Sequence, residues 1–142
     1  MNDAALIQEA LALVHRRKVG STEMGQVAAA LITDGGNVYR GVCIDTSSSM
    51  GFCAEHSAVA AMVTAGESVI ERVVAVWKDD EGQGHIVPPC GRCREFMFQI
   101  DERNLDARVV LGTERVEPLR DLLPYADVDW PTTDRVLDAP ES

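Results

Sequence analysis

The amino-acid sequence predicts a three-layer α/β/α domain built on a mixed sheet. Three observations carry that expectation. The chain has 142 residues, the length of one domain. A hairpin signature occupies its first third, and beyond it helical and strand-like stretches alternate. A chain of this size typically buries about 68–70% of its unfolded surface. With 46% hydrophobic and 25% charged residues, both near globular averages, it can build a core without disulfide staples.

In order along the chain, residues 4–17 carry Leu6, Ile7, Ala10, Leu11, Leu13 and Val14 close to a helical stripe. Residues 26–33 form a short apolar run, followed by Asp34-Gly35-Gly36-Asn37 and then by 38–45. A turn sequence between two such runs predicts a β-hairpin. The alanine-rich stretch 53–65 predicts a buried helix closed by Gly66. Residues 71–77 are apolar enough for a central strand, and the polar stretch 78–84 for a surface loop. Pro88-Pro89 precede a helix over 90–100, whose Phe96, Met97 and Ile100 supply an apolar face. A short strand follows at 108–111, then a short helix at 119–123 stopped by Pro124. The chain divides into one domain over 1–130 and an acidic tail over 131–142.

Charge and cysteine usage narrow the function. Lys and Arg number 13 against 23 Asp and Glu, a formal net charge of −10. That argues against tight binding to long nucleic acids, whose phosphates demand a basic face. No apolar run reaches the roughly 18 residues of a membrane span. Met1-Asn2-Asp3 lacks the basic start of a secretory leader, so a cytoplasmic protein is expected. Four cysteines in that setting point to reduced thiols or a metal rather than to disulfides.

Both informative cysteine motifs open predicted helices. The first is Cys53-Ala54-Glu55; the second is Pro89-Cys90-Gly91-Arg92-Cys93. Positions i and i+3 share a helix face, so three thiolates from two helix starts can meet at one cation. Helix N-termini carry partial positive charge, which favours the thiolate. Sulfur ligands suit zinc, and three of them leave a fourth position open to water, as catalytic rather than structural sites do. Glu55, two residues after the first ligand, is placed to face that water and carry a proton to a substrate nitrogen. Three readings compete with this one. The cysteines can be buried apolar thiols, Glu55 an ordinary surface carboxylate, or Cys43 the fourth ligand of a closed zinc site.

A Cys-x-Glu followed by Pro-Cys-x-x-Cys is the paired signature of zinc deaminases, and the chain resembles the cytidine deaminase family in its small homotetrameric form. The resemblance runs from about Gln8 to Trp130 and includes Val27-Ala28-Ala29-Ala30-Leu31, Gly41-Val42, Arg94 and Leu122-Leu123-Pro124. It implies a mixed five-stranded sheet with helices on both faces. It also implies one zinc per chain on Cys53, Cys90 and Cys93, with Glu55 as the catalytic proton carrier and Ala54 beside the substrate. A free nucleoside is the implied partner, pyrimidine salvage the implied setting, and a homotetramer whose subunits complete one another's sites the implied assembly. A carbonyl near Pro88 or Pro89 is the implied acceptor for the leaving amine.

The pattern departs from the family at one edge. Where cytidine deaminases carry Asn-x-Glu-Asn, whose Asn and Glu hold the ribose hydroxyl, this chain reads Cys43-Ile44-Asp45-Thr46. Asp45 replaces the glutamate with a shorter arm, and Cys43 is a poor substitute for an amide. Thr46 belongs to the same expected substrate edge, and Met24-Gly25 stands where an aromatic is expected. These departures lean toward blasticidin S deaminase, which shares Pro-Cys-Gly-Arg-Cys-Arg, here residues 89–94. It also shares Arg-x-Leu-Leu-Pro, here Arg120 to Pro124, followed by aromatics such as Tyr125 and Trp130. Arg92 either projects to solvent or reaches an anionic substrate group.

Zinc(II) with three thiolates carries a formal charge of −1, so a nearby donor is expected to offset it. Many relatives place an arginine directly after Cys-Ala-Glu; this chain has His56 there. His56 or Arg94 is therefore expected to donate to a ligand sulfur. The expected reaction is hydrolytic deamination of cytidine or deoxycytidine. The alternatives are a blasticidin-S-like or other modified aminopyrimidine deaminase, and a non-enzymatic zinc-stabilised oligomer or binding module.

Overall fold

The computed structural model describes residues 1–127, so Trp130, the expected domain end at 130 and the tail over 131–142 lie outside the described residues. Helix α1 (Asp3–Leu11) starts at Asn2, whose side chain accepts from the Ala5 N–H at 2.8 Å. It stops well short of the stretch 4–17 read as helical. The Leu13 and Val14 amides turn back to the Ala10 and Leu11 carbonyls. Val14 then packs beside the helix from a turn, which continues the apolar spacing without continuing the helix. Strand β1 (Arg17–Val19) follows, exposed throughout and carrying no pattern that betrays it.

The expected hairpin forms between β2 (Thr22–Thr33), which starts ahead of the apolar run at 26–33, and β3 (Val38–Asp45), paired antiparallel with Ala28 opposite Val42. Strand β4 (Ile70–Lys78) lies antiparallel on the other edge of β2, with Ala29 opposite Ala75. Strand β6 (Arg108–Val110) runs parallel to β4, with Val73 opposite Val109, so the sheet is mixed. Two further three-residue strands, β5 (Gly84–Ile86) on β4 and β7 (Val116–Pro118) on β6, bring the sheet to seven strands among the described residues. The five expected from the resemblance are exceeded because pieces this short pair at the margins of the sheet.

The helices cover both faces. Successive strand side chains point to opposite sides. Ala30, Ile32, Val74 and Val76 accordingly meet α1, while Ala29, Leu31, Val73 and Ala75 meet α2 (Ala54–Thr64) and α3 (Gly91–Ile100). Helix α4 (Leu119–Leu122) adds Leu119 to this second layer. Small residues let α2 lie close to the hairpin: a Cβ on Gly41 would run into Ser57 and the Ala58 backbone. Asn104, fully buried, fixes the far end of α3. Its Nδ2 donates to Met97 O at 2.9 Å and Ser68 O at 3.0 Å, and its Oδ1 accepts from the Ile70 N–H at 2.8 Å. The second layer thus presents the N-termini of α2 and α3 together.

Candidate active site

Cys53 is the N-cap residue of α2 and Cys90 that of α3, and neither side chain caps its helix. Both sulfurs turn toward each other instead, 3.5 Å apart. Cys93, one turn into α3 and fully buried, stands 3.5 Å from Cys90. The three sulfurs all lie within 4.8 Å of one another. Sulfurs held tetrahedrally about 2.3 Å from a zinc ion lie roughly 3.8 Å apart, so the cluster has the size and donor chemistry for one zinc per chain.

Without a cation, Cys93 and Cys53 resist ionisation. Burial, the charge of Glu55 and the Cys90 thiol push the Cys93 thiol far above its usual value. Burial and the Cys90 contact raise Cys53. At Cys90 burial opposes ionisation, but hydrogen bonds from the Cys93 and Arg92 amides and from the two other thiols outweigh it, leaving Cys90 low. Three thiolates this close cannot all ionise without a cation, and a dication reverses the balance.

Cys43 is not part of the cluster. Its thiol donates to Gln26 Oε1 at 3.2 Å while its sulfur accepts from the Val27 N–H at 3.3 Å. Among the described residues, therefore, the closed four-cysteine site is not formed.

Glu55, 4% exposed, lies against the cysteines, its Oε2 accepting from Cys93 Sγ at 3.6 Å. Burial raises its carboxyl above the usual range against the pull of its backbone and the Cys93 thiol. Its neighbour His56 places Nδ1 3.3 Å from Cys93 Sγ and stacks on Phe96, with ring centroids 4.2 Å apart and planes 3° from parallel. Burial, and then the charge of Arg92, hold the imidazole below its usual value. Arg94, the other expected sulfur donor, is occupied elsewhere. Its Nε donates to Pro89 O at 2.8 Å and its Nη1 to Leu122 O at 3.1 Å, so it braces the turn ahead of Cys90 rather than touching a sulfur.

A cleft of about 250 Å³ opens beside Cys53, Glu55 and Cys90, walled by Ala54, Phe52, Val87 and Pro88 and, at its far edge, by Cys43, Asp45, Gln26 and Val27. Reciprocal backbone hydrogen bonds of 3.0 Å between Ile44 and Phe52 close the connection from β3 to α2. They bring the Cys43–Asp45 strand end alongside the Cys53 helix start. Thr46 and Arg92 are not on the cleft wall. Thr46 begins the connection, and its Oγ1 is buried without a hydrogen-bond partner. Arg92 lies exposed on the His56 side, 3.5 Å from Gly51 O. Sequence reasoning missed Gln26, Val27, Phe52 and Val87. Phe52 and Val87 flank the cysteine motifs, and that adjacency was the available signal.

Comparison with known proteins agrees with this geometry. Residues 1–112 match the model of the cytidine and deoxycytidylate deaminase zinc-binding region. A cytidine deaminase of Mycobacterium tuberculosis is 31% identical over 101 residues, 70% of this chain and 71% of the relative. The crystal structure of cytidine deaminase from Burkholderia pseudomallei covers 88% of this chain and 98% of its own, at 27% identity and a TM-score of 0.69. That of Mycobacterium leprae covers 87% and 98% at 24% identity, with a TM-score of 0.69 that speaks for the fold.

Proposed function

This chain belongs to the cytidine and deoxycytidylate deaminase family, and on that premise we propose that it converts cytidine or deoxycytidine to the uracil nucleoside with release of ammonia. The observation that carries the reading is a buried carboxyl, Glu55, that touches a three-cysteine cluster and lines the same cleft as Cys53 and Cys90. Cys53, Cys90 and Cys93 hold the zinc, which when bound supplies the Lewis acidity that makes water nucleophilic near neutral pH.

The chain's own groups then do the rest. Glu55 accepts a proton from the attacking water and delivers it to the ring nitrogen beside the reacting carbon. Glu55 then takes the proton of the hydroxyl now on the ring carbon and gives it to the amino group, which leaves as ammonia as the carbon–nitrogen bond breaks and the carbonyl forms. A carbonyl at Pro88, on the cleft wall, or at Pro89, which also accepts from Arg94, receives the departing amine. His56 supports Cys93, and Asp45 with Ala54 meets the substrate.

The wider setting belongs to the same proposal: one domain with an acidic tail over 131–142, a homotetramer, and cytoplasmic pyrimidine salvage. Met50, 77% exposed, and Phe52 leave apolar surface beside the cleft for a neighbouring subunit. No helix among the described residues is long and apolar enough to cross a membrane.

One observation favours a second reading, a modified aminopyrimidine nucleoside. Cys43 spends its thiol on Gln26, so it offers a substrate sugar no donor. The test is ammonia release by zinc-loaded protein from cytidine, deoxycytidine, blasticidin S and adenosine. Turnover of the first two is expected. Turnover of blasticidin S with none of cytidine selects the second reading, and no turnover of any aminopyrimidine overturns both.

A further inference from the structure

Gln26 belongs to no motif, yet the backbone is distorted to place it. Strands β2 and β3 pair Met24 with Ile44 and Ala28 with Val42, so Gly25, Gln26 and Val27 stand opposite Cys43 alone. Bulges of this kind re-aim side chains beside functional sites. Gly25 makes it feasible: its φ is 82°, and a Cβ there would run into His15 O.

The amide so placed is fully engaged. Nε2 donates to Glu23 Oε2 at 3.0 Å and to Asp45 Oδ2 at 3.3 Å, and Oε1 accepts the Cys43 thiol at 3.2 Å. Reversing the amide would set its oxygen against two carboxylates, so the chemistry settles its orientation. Glu23 is itself tied to Arg16 at 3.0 Å. Gln26 therefore fixes Asp45 through one oxygen and leaves Oδ1 to meet a ligand. Gln26 and Val27 also line both the cleft and a neighbouring cavity that reaches Trp77 and Lys78.

We propose that Gln26 is a positioning residue for the sugar end of the substrate, holding the Asp45 carboxylate where it accepts a sugar hydroxyl. The inference rests on the nucleoside reading above. Cys43 contributes by anchoring Gln26 rather than by touching the sugar. The bulge, set between the hairpin and the cleft, is thus the feature that gives this chain a polar sugar contact.

The test is a double-mutant cycle on the zinc-loaded protein with Gln26→Leu, Asp45→Asn and the pair, and with Gln26→Met in parallel in case the leucine variant fails to fold. Each single change is expected to raise KM for cytidine about ten-fold, the scale of one hydrogen bond to a charged group, with kcat and zinc content close to the unaltered protein. The pair is expected to be no worse than Asp45→Asn alone. Inhibition by 1-methyluracil, the product's base without its sugar, is expected to be the same in all variants. The inference is overturned by an unchanged KM, by effects that multiply in the pair, or by weakened 1-methyluracil binding. An unaltered protein that turns over no nucleoside overturns instead the reading beneath it, a result the cycle cannot mimic.

Discussion

Burial separates Glu55 from the other carboxylates of this acidic chain. Most of them sit in water, whereas Glu55 keeps 4% of its surface and lies against a ligand-type sulfur. Glu55→Gln preserves the shape and the cysteine cluster while removing the proton acceptor. It is expected to lower kcat by about 10²–10⁴-fold, the usual contribution of a positioned acid–base group, with zinc content unchanged by elemental analysis. The meeting of Cys53, Cys90 and Cys93, with Glu55 beside them, was legible in the sequence because metal ligation needs fixed residue types at fixed spacings. Gln26 was not. Its role depends on a bulge, and a bulge hides in a strand's alternation unless the partner's register is known. Arg94 shows the converse, a motif neighbour whose donors the surrounding backbone claims first.

Among the elements, the hairpin is tied to the end of α2 by one carboxylate. Glu67 accepts from Thr33 Oγ1 at 2.7 Å, Tyr39 Oη at 2.6 Å and Asn37 Nδ2 at 3.1 Å. Those donors, Tyr39 foremost, hold its carboxyl below the ordinary value of 4.5. A carboxyl lowered by folding stabilises the native state fully above its unfolded value and ceases to do so as pH falls through the folded one. Glu67→Gln is therefore expected to lower the thermal midpoint at pH 7, and the gap to the unaltered protein is expected to narrow steadily below pH 4.5. A gap that widened in acid would contradict this assignment. Strand β3 and helix α3 were legible to within a residue, since 38–45 is β3 and 90–100 is α3 with Cys90 as its cap, whereas β2 begins at Thr22, ahead of the apolar run at 26–33, because its first residues are polar and bulged. The helix over 4–17 was too long because a turn can continue an apolar stripe, and β1, β5 and β7 carry too few residues to form a pattern.

At the scale of the whole molecule, the site exists because α2 and α3 lie on one face of the sheet and begin at the same end. Asn104 and the close approach at Gly41 hold those two helices to the strands beneath them. The three-layer order was legible from the alternation of apolar runs, but the convergence of two helix tips was legible only through the cysteines placed on them. The most direct test of that convergence is X-ray absorption at the zinc edge on the purified protein. Three sulfur neighbours at about 2.3 Å and one lighter atom per zinc, at one zinc per chain, are the expected result. Four sulfur neighbours, or folded protein that holds no zinc, would contradict it.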